Sequence, residues 1–152
     1  MKERGLVRHV GLGCRRHDFH RQAVETGHID IVLTYLDYTL LDQSVAQTTL
    51  PLARRHDVGV QLASVFGCSA GALAGGEPEN NPTAHAMWLW CREHGLSLRR
   101  LALHFALAAP IAGHVLIGPG TPDHVEEVCR EALTPVPPEV WQAFQARFGV
   151  GP

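Results

Sequence analysis

The chain has 152 residues, of which 45% are hydrophobic and 18% charged, and a formal net charge of -2. That length suits one domain with a sizeable core, and the charge balance lacks the basic excess that nucleic acid or an anionic membrane surface demands. No apolar run reaches the roughly 20 residues of a membrane-spanning helix. Met1-Lys2-Glu3-Arg4-Gly5 leads straight into a strand-like segment without the pattern of a signal peptide, so a cytoplasmic setting is expected. Lys2 is the sole lysine, and every other basic residue is arginine. Cys14, Cys68, Cys91 and Cys129 form no CxxC pair and read as reduced, mostly buried thiols.

Taken in chain order, Leu6 to Leu12 is a short strand candidate running into Gly11-Leu12-Gly13. Asp18 is positioned to cap a helix over 19–25, and Gly27 to stop it. Ile29 to Tyr35 is apolar enough for a strand buried on both faces. Tyr38 to Asp42 is a loop, and Ser44 is expected to cap a helix over 45–55. The third strand spans 58–65. Residues 66–82, rich in Gly, Asn and Pro, form a long irregular stretch of the kind that usually carries function. Helices over 83–94 and 98–109 follow, the second capped by Ser97. His114 to Ile117 is the fourth strand, Gly118-Pro119-Gly120-Thr121 its turn, and Pro122 the first residue of a helix to about 132. Pro137 and Pro138 open a last helix ending near Phe148. Strands alternating with helices imply an α/β fold with a parallel sheet. Short, evenly spaced strands favour a barrel arc over a doubly wound sheet. Four such units make half of a (β/α)8 barrel, whose full form takes roughly 250 residues.

Several motifs carry chemistry. Gly11-Leu12-Gly13 follows a strand, but the third glycine of a dinucleotide fingerprint falls on Arg16, so a tight turn explains it better. Gly67-Cys68-Ser69-Ala70-Gly71 matches G-x-S-x-G and offers Ser69 as an acyl-transfer nucleophile, with Asp123 and His124 among scattered candidates for its partners. The glycines that follow, Gly71, Gly75 and Gly76, suit a phosphate-facing loop better than the helix start of a nucleophile elbow. His17 with His20, and Cys91 with His94, stand three apart, yet neither has a second pair at zinc-site spacing, and no metal site is expected. At Ile117-Gly118-Pro119-Gly120-Thr121-Pro122 a strand ends, glycines open the backbone and a helix begins with free N–H groups, which favours an anion.

Four segments in order resemble the C-terminal half of the aldo-keto reductase family. Val7 to Gly13 resembles the family's fifth strand, and Tyr38-Thr39-Leu40-Leu41-Asp42-Gln43-Ser44 a tyrosine motif after its sixth. Ala63-Ser64-Val65-Phe66, continuing to Leu73-Ala74-Gly75-Gly76, resembles the loop after the seventh strand. Val115-Leu116-Ile117-Gly118 with Thr121-Pro122-Asp123 resembles the eighth strand and its phosphate turn. The Tyr-Thr-Leu-Leu-Asp-Gln wording is most similar to the aldose-dehydrogenase branch. The resemblance covers nearly the whole chain. It implies one half-barrel domain over 1–152, strands five to eight of the family barrel, binding NAD or NADP for hydride transfer with an aldose or aldehyde. The family's catalytic Asp, Tyr, Lys and His belong to its first four β/α units, so no catalytic residue is expected here.

Carried over position by position, the resemblance implies a cofactor set of Gly13, Cys14, Tyr38, Ser64, Phe66, Gly67, Gly75, Gly76, Gly118, Gly120, Thr121 and Glu127. Tyr38 would lie flat against the nicotinamide. Ser64, Phe66 and the glycine loop would border the pyrophosphate. Gly118 to Thr121 would meet the adenosine phosphate, and Glu127 the adenine. The chain departs from the family in several places. Gly13-Cys14 replaces a Ser-Asn pair, Val65 a proline, Gly120 a basic residue of the phosphate turn, and Val128 an asparagine. Without that basic residue, NAD fits as well as NADP.

The isolated chain is expected to show little or no activity, since proton transfer needs groups it lacks. A half-barrel leaves two sheet edges open, so two further expectations stand beside the oxidoreductase: a non-enzymatic half that pairs with itself or with an N-terminal half, and a serine hydrolase using Ser69.

Overall fold

A computed structural model describes residues 1–67 and 71–152. Four strands, β1 (Gly11–Gly13), β2 (Ile31–Tyr35), β3 (Gly59–Ala63) and β4 (Gly113–Leu116), form one parallel sheet in the order β1-β2-β3-β4. Each neighbour in the sheet is the next strand in sequence, and helices make the crossovers: α1 (His17–Glu25) after β1, α2 (Thr49–Arg55) after β2, and the pair α3 (Pro82–Glu93) and α4 (Leu98–Leu107) after β3. Helices α5 (Pro122–Leu133) and α6 (Pro138–Phe148) follow β4. Sequential parallel order with helices on one side is the arc of a (β/α) barrel, and these four units are half of one.

Period-two alternation sorts the strand side chains onto two faces. Val32, Thr34, Val60 and Leu62 are buried, and the three apolar ones form one cluster with Val24 of α1, Leu52 and Ala53 of α2, and Leu101 and Phe105 of α4. The other face carries the register-matched rows Leu33–Gln61–His114 and Tyr35–Ala63–Leu116, all of them half-buried or exposed. The sheet is therefore covered on one face. Helix α6 is fastened by aromatic contacts: Phe144, fully buried, meets Trp90 of α3 edge-on at 5.3 Å, and Phe148 meets the same ring edge-on at 6.3 Å.

Side-chain caps fix the helix starts in the second half. Asn81 Oδ1 accepts from the Ala84 N–H at 2.9 Å, and the Ser97 hydroxyl from the Arg100 N–H at 3.3 Å. Gly113 is required by contact: a Cβ there would be driven into the Val60 backbone of the neighbouring strand.

Three expected elements change. The first strand is confined to Gly11–Gly13, because the Asp30 carboxylate takes the Val10 N–H at 2.7 Å and Leu6 lies exposed. Asp18 does not cap α1. The helix starts at His17, and Asp18 instead pairs with Arg16 at 2.6 Å. The single helix expected over 45–55 is two: a 3-10 turn (Ser44–Gln47) and α2, broken at Thr48, whose hydroxyl donates back to the Ser44 carbonyl at 3.0 Å. The strand and helix limits elsewhere match within a few residues.

Candidate functional site

Ligands of parallel α/β folds sit at the carboxyl ends of the strands, where the βα loops emerge. Here that rim divides in two. Around β3 and β4 it forms a cleft of about 620 Å³ lined by Ser64 to Gly67, Ala74, Arg99, Leu116 to Gly120, His124 and Val128. Five expected cofactor residues meet in it: Ser64, Phe66, Gly67, Gly118 and Gly120.

The local chemistry of each wall differs. At the end of β3 the chain turns sharply, with Ser64 at φ 54°, a left-handed conformation uncommon outside glycine. The Gly67 N–H closes that turn on the Ser64 carbonyl at 3.0 Å, and Gly67 itself has φ 94°. The Phe66 carbonyl then accepts from the Leu73 N–H at 3.0 Å, which folds the returning loop back onto the strand end. Gly75 backs onto the Arg99 side chain, and Gly76 is exposed with open space around it. At the end of β4, a Cβ on Gly118 or Gly120 would meet nothing within 4 Å, so a ligand has free access to the backbone. The Thr121 hydroxyl caps α5 by accepting from the His124 N–H at 3.3 Å, with Pro122 in the first turn. The remaining free N–H groups of α5 favour negative charge.

Two expected residues have other partners. The Tyr38 ring is buried and stacked on Phe105 of α4, 5.0 Å between centroids and 15° between planes. Its open side faces a pocket formed with Leu50, Pro51, Arg54, Arg55 and Pro110, in the helical layer. The geometry gives no support to its expected stacking on a nicotinamide. Burial also raises its phenol pKa above the ordinary value. Glu127 forms an ion pair with Arg99. That guanidinium holds the Glu127 carboxyl below its usual pKa, with burial opposing.

Arg99 is the residue that sequence reasoning missed. It stands two positions after the Ser97 cap and reaches across to α5, where its Nε donates to Glu131 at 2.7 Å. Two carboxylates raise its already high pKa, chiefly through the Glu131 hydrogen bond. The one available signal was a helical arginine following a glycine loop, which a solvated surface residue produces equally well.

On the β1–β2 side, Gly13 and Cys14 reach the same rim, but their surroundings are closed by side chains. The Cys14 N–H donates to Leu33 and its carbonyl accepts from His20 Nε2 at 2.9 Å. His20 is fully buried, with Nδ1 2.9 Å from the Thr49 hydroxyl, and burial lowers its pKa. His17 Nε2 lies 2.8 Å from Asp37 Oδ2, and its Nδ1 2.9 Å from the Thr48 hydroxyl. Thr34 donates to the same Asp37 oxygen, while Asp37 Oδ1 finds no partner. A second cleft, lined by Arg15, Thr39, Asp42 and residues 77–81, adjoins the first at Gly67.

Cys91 is buried and its thiol is pushed up to about 12 by desolvation. His94 stacks on Trp90 at 3.9 Å between centroids, which accounts for the pair three residues apart. Among the described residues no three His, Cys, Asp or Glu side chains gather as a metal group, and no helix is long and apolar enough to cross a membrane. Ser69, the hydrolase candidate, lies outside the described residues.

A half-barrel arc with its open cleft at the glycine turns after the third and fourth strands defines a (β/α)8-barrel protein. The aldo/keto reductase family profile matches residues 1–147, and the chain belongs to that family. It is 27% identical over 154 residues to a D-threo-aldose 1-dehydrogenase of a Pseudomonas species, covering 93% of this chain and 46% of that protein. A pyridoxal 4-dehydrogenase of Microbacterium luteolum is 25% identical over 158 residues, covering 96% of this chain and 46% of the relative. Among solved structures, an aldo-keto reductase from Bacillus halodurans in its holo form superposes with a TM-score of 0.71 at 22% identity, over 95% of this chain and 51% of that one. The chain thus spans about half the length of the relatives it matches.

Proposed function

We propose that this chain supplies the cofactor-holding side of an aldo-keto reductase-type oxidoreductase acting on an aldose or aldehyde. The observation that carries the reading is the cleft between the carboxyl ends of β3 and β4, floored by Gly118 and Gly120 and facing the amino end of α5. Bare backbone at both glycines and a capped twelve-residue helix fit a diphosphate, whose oxygens need close N–H donors. A bound nicotinamide would supply the hydride chemistry, giving a hydride to an aldehyde or accepting one from an aldose. The chain's own work is to bind and orient. The Ser64–Gly67 turn sets one wall, the Gly118–Thr121 turn the other, and Phe66 adds an apolar surface between them. The proton-transfer groups are assigned to the β/α units this chain does not contain.

Titration of the chain with NADH and NADPH tests this, read by energy transfer from Trp88, Trp90 and Trp141 to the reduced nicotinamide. Saturable binding of either nucleotide, weakened by bulk at Gly118 (Gly118→Val), supports the reading. Binding of neither overturns it.

The uncovered face of the sheet favours a second reading, in which the β4 edge of one copy pairs with the β1 edge of another and two halves close eight strands. Sedimentation equilibrium decides it: a dimer is expected, and a stable monomer at tens of micromolar rejects it.

A further inference from the structure

A second opening lies in the helical layer, between α2 and the segment that follows α4. It is a pocket of about 500 Å³ whose lining includes Tyr38, Leu50, Pro51, Arg54, Arg55 and Pro110, and it shares no lining residue with the β3–β4 cleft. A volume of that size takes a small organic molecule.

Three kinds of side chain meet there. Leu50, Pro51 and Pro110 are apolar. Tyr38 is 8% exposed, and Phe105 covers one face of its ring at 5.0 Å, which leaves the other side toward the pocket. Its hydroxyl has no hydrogen-bond partner among the described residues, and burial alone raises its pKa. A buried hydroxyl without a partner carries a desolvation cost that an acceptor on a ligand would offset. Arg54 and Arg55 are the third kind. Successive residues of a helix point about 100° apart, yet both side chains border this one pocket. The last turn of α2 favours cations, which accounts for their presence but not for their sharing an apolar pocket. Among the described residues neither guanidinium pairs with a carboxylate. Asp57 borders an adjoining pocket with Arg54 but forms no ion pair with it. Asp18, which borders another pocket with Arg55, is held by Arg16 at 2.6 Å. Two cations thus stand without a counter-ion beside an aromatic ring and an apolar wall.

We propose that this pocket binds a small aromatic carboxylate. The ring packs against Tyr38, Leu50 and the two prolines, and the carboxylate accepts charge-assisted hydrogen bonds from Arg54 and Arg55. The Tyr38 hydroxyl is a further donor. A rigid ring loses less rotamer freedom on binding than an alkyl chain of similar volume, which favours the aromatic acid. The site lies outside the cofactor cleft and stands whether or not a nucleotide binds there.

Calorimetric titration of the full chain at low salt with naphthoate, and with the neutral naphthalenemethanol, is the test. Naphthoate is expected to bind at one site, about tenfold more tightly than the alcohol, because only the acid gains the charge-assisted bonds. Arg54→Met and Arg55→Met keep most of the stem and remove the charge. Each should weaken naphthoate severalfold and leave the alcohol unchanged, with NADH binding and circular dichroism as in the wild type. Absence of naphthoate binding at millimolar concentration overturns the site. Equal binding of acid and alcohol overturns the carboxylate assignment. Unchanged naphthoate affinity in both variants, or its displacement by NADH, moves the binding elsewhere and rejects the proposal. Failure of NADH alone to bind strikes the cofactor reading and leaves this one intact.

Discussion

The carboxyl rim of the sheet is built in two ways. On the β1–β2 side, polar side chains consume one another: His17 with Asp37 and Thr48, His20 with Thr49 and the Cys14 carbonyl. On the β3–β4 side, glycines leave backbone open, and α5 has no buried residue of its own. The first arrangement fixes α1 against α2 and the loop after β2. The second holds α5 through ion pairs to Arg99 and a contact of 3.0 Å between His104 Nε2 and the Glu131 carbonyl. A closed polar network of this kind fixes the helices and the loop around it. An open, weakly packed turn is where a ligand can be accommodated.

The largest effect is expected at the base of the open side. Gly113→Ala places a methyl group against the Val60 backbone, and neither strand can retreat without breaking the β3–β4 ladder. Overpacking of this kind costs about 3 kcal/mol. Urea unfolding should show that loss together with loss of nucleotide binding, since the cleft depends on the two strand ends. A stable Gly113→Ala protein would mean that β4 is not held to β3 as described.

Next comes the closed side. His17→Ala removes one of the two side-chain partners of the Asp37 carboxylate, which is 1% exposed and already has one oxygen unsatisfied. Leaving a buried carboxylate short of a donor costs about 2 kcal/mol. The loss should appear in urea unfolding while nucleotide binding in the β3–β4 cleft, whose lining includes neither residue, is retained. If binding falls in step with stability, the two halves of the rim are not independent.

The same division explains what the sequence disclosed. The strand–helix alternation and the Ser97 cap and Pro122 helix start depend on neighbouring residues, so they were legible. So was the open turn at Gly118 and Gly120, because the absence of a side chain is itself readable. The pairing of Arg99 with Glu127 and Glu131 spans about 30 residues and depends on how α4 packs beside α5, which no local pattern encodes. Tyr38 shows a different limit. Its motif matched the family, but the ring's direction is set by Phe105, a contact invisible at sequence level. The break at Thr48 belongs with it, since a side chain competing for the Ser44 carbonyl overrode a helical pattern.

A smaller effect sharpens the contrast from the open side. Thr121→Ala removes the cap of α5, at a cost of about 1 kcal/mol. Because α5 buries little, the loss should be local: faster amide exchange in its first turn and weaker nucleotide binding, with little change in the global urea midpoint. A large midpoint shift would show α5 to be part of the cooperative core.

The smallest effect is a pH dependence confined to the closed side. His20 is fully buried, and its pKa is held below the ordinary 6.5, chiefly by desolvation. Its Nε2 faces a carbonyl, which only accepts, so Nε2 carries the proton and Nδ1 accepts from Thr49. As pH falls below the ordinary value, the unfolded chain takes up a proton that the folded protein refuses. The unfolded state then binds more protons, so stability is present above about 6.5 and declines as pH drops through that value toward the depressed folded one. Urea midpoints at pH 7.5 and 5.5 should differ in that direction. In His20→Gln, which keeps one donor and one acceptor, the difference should shrink. An undiminished difference in that variant would assign the titration to another histidine and leave His20 a packing residue.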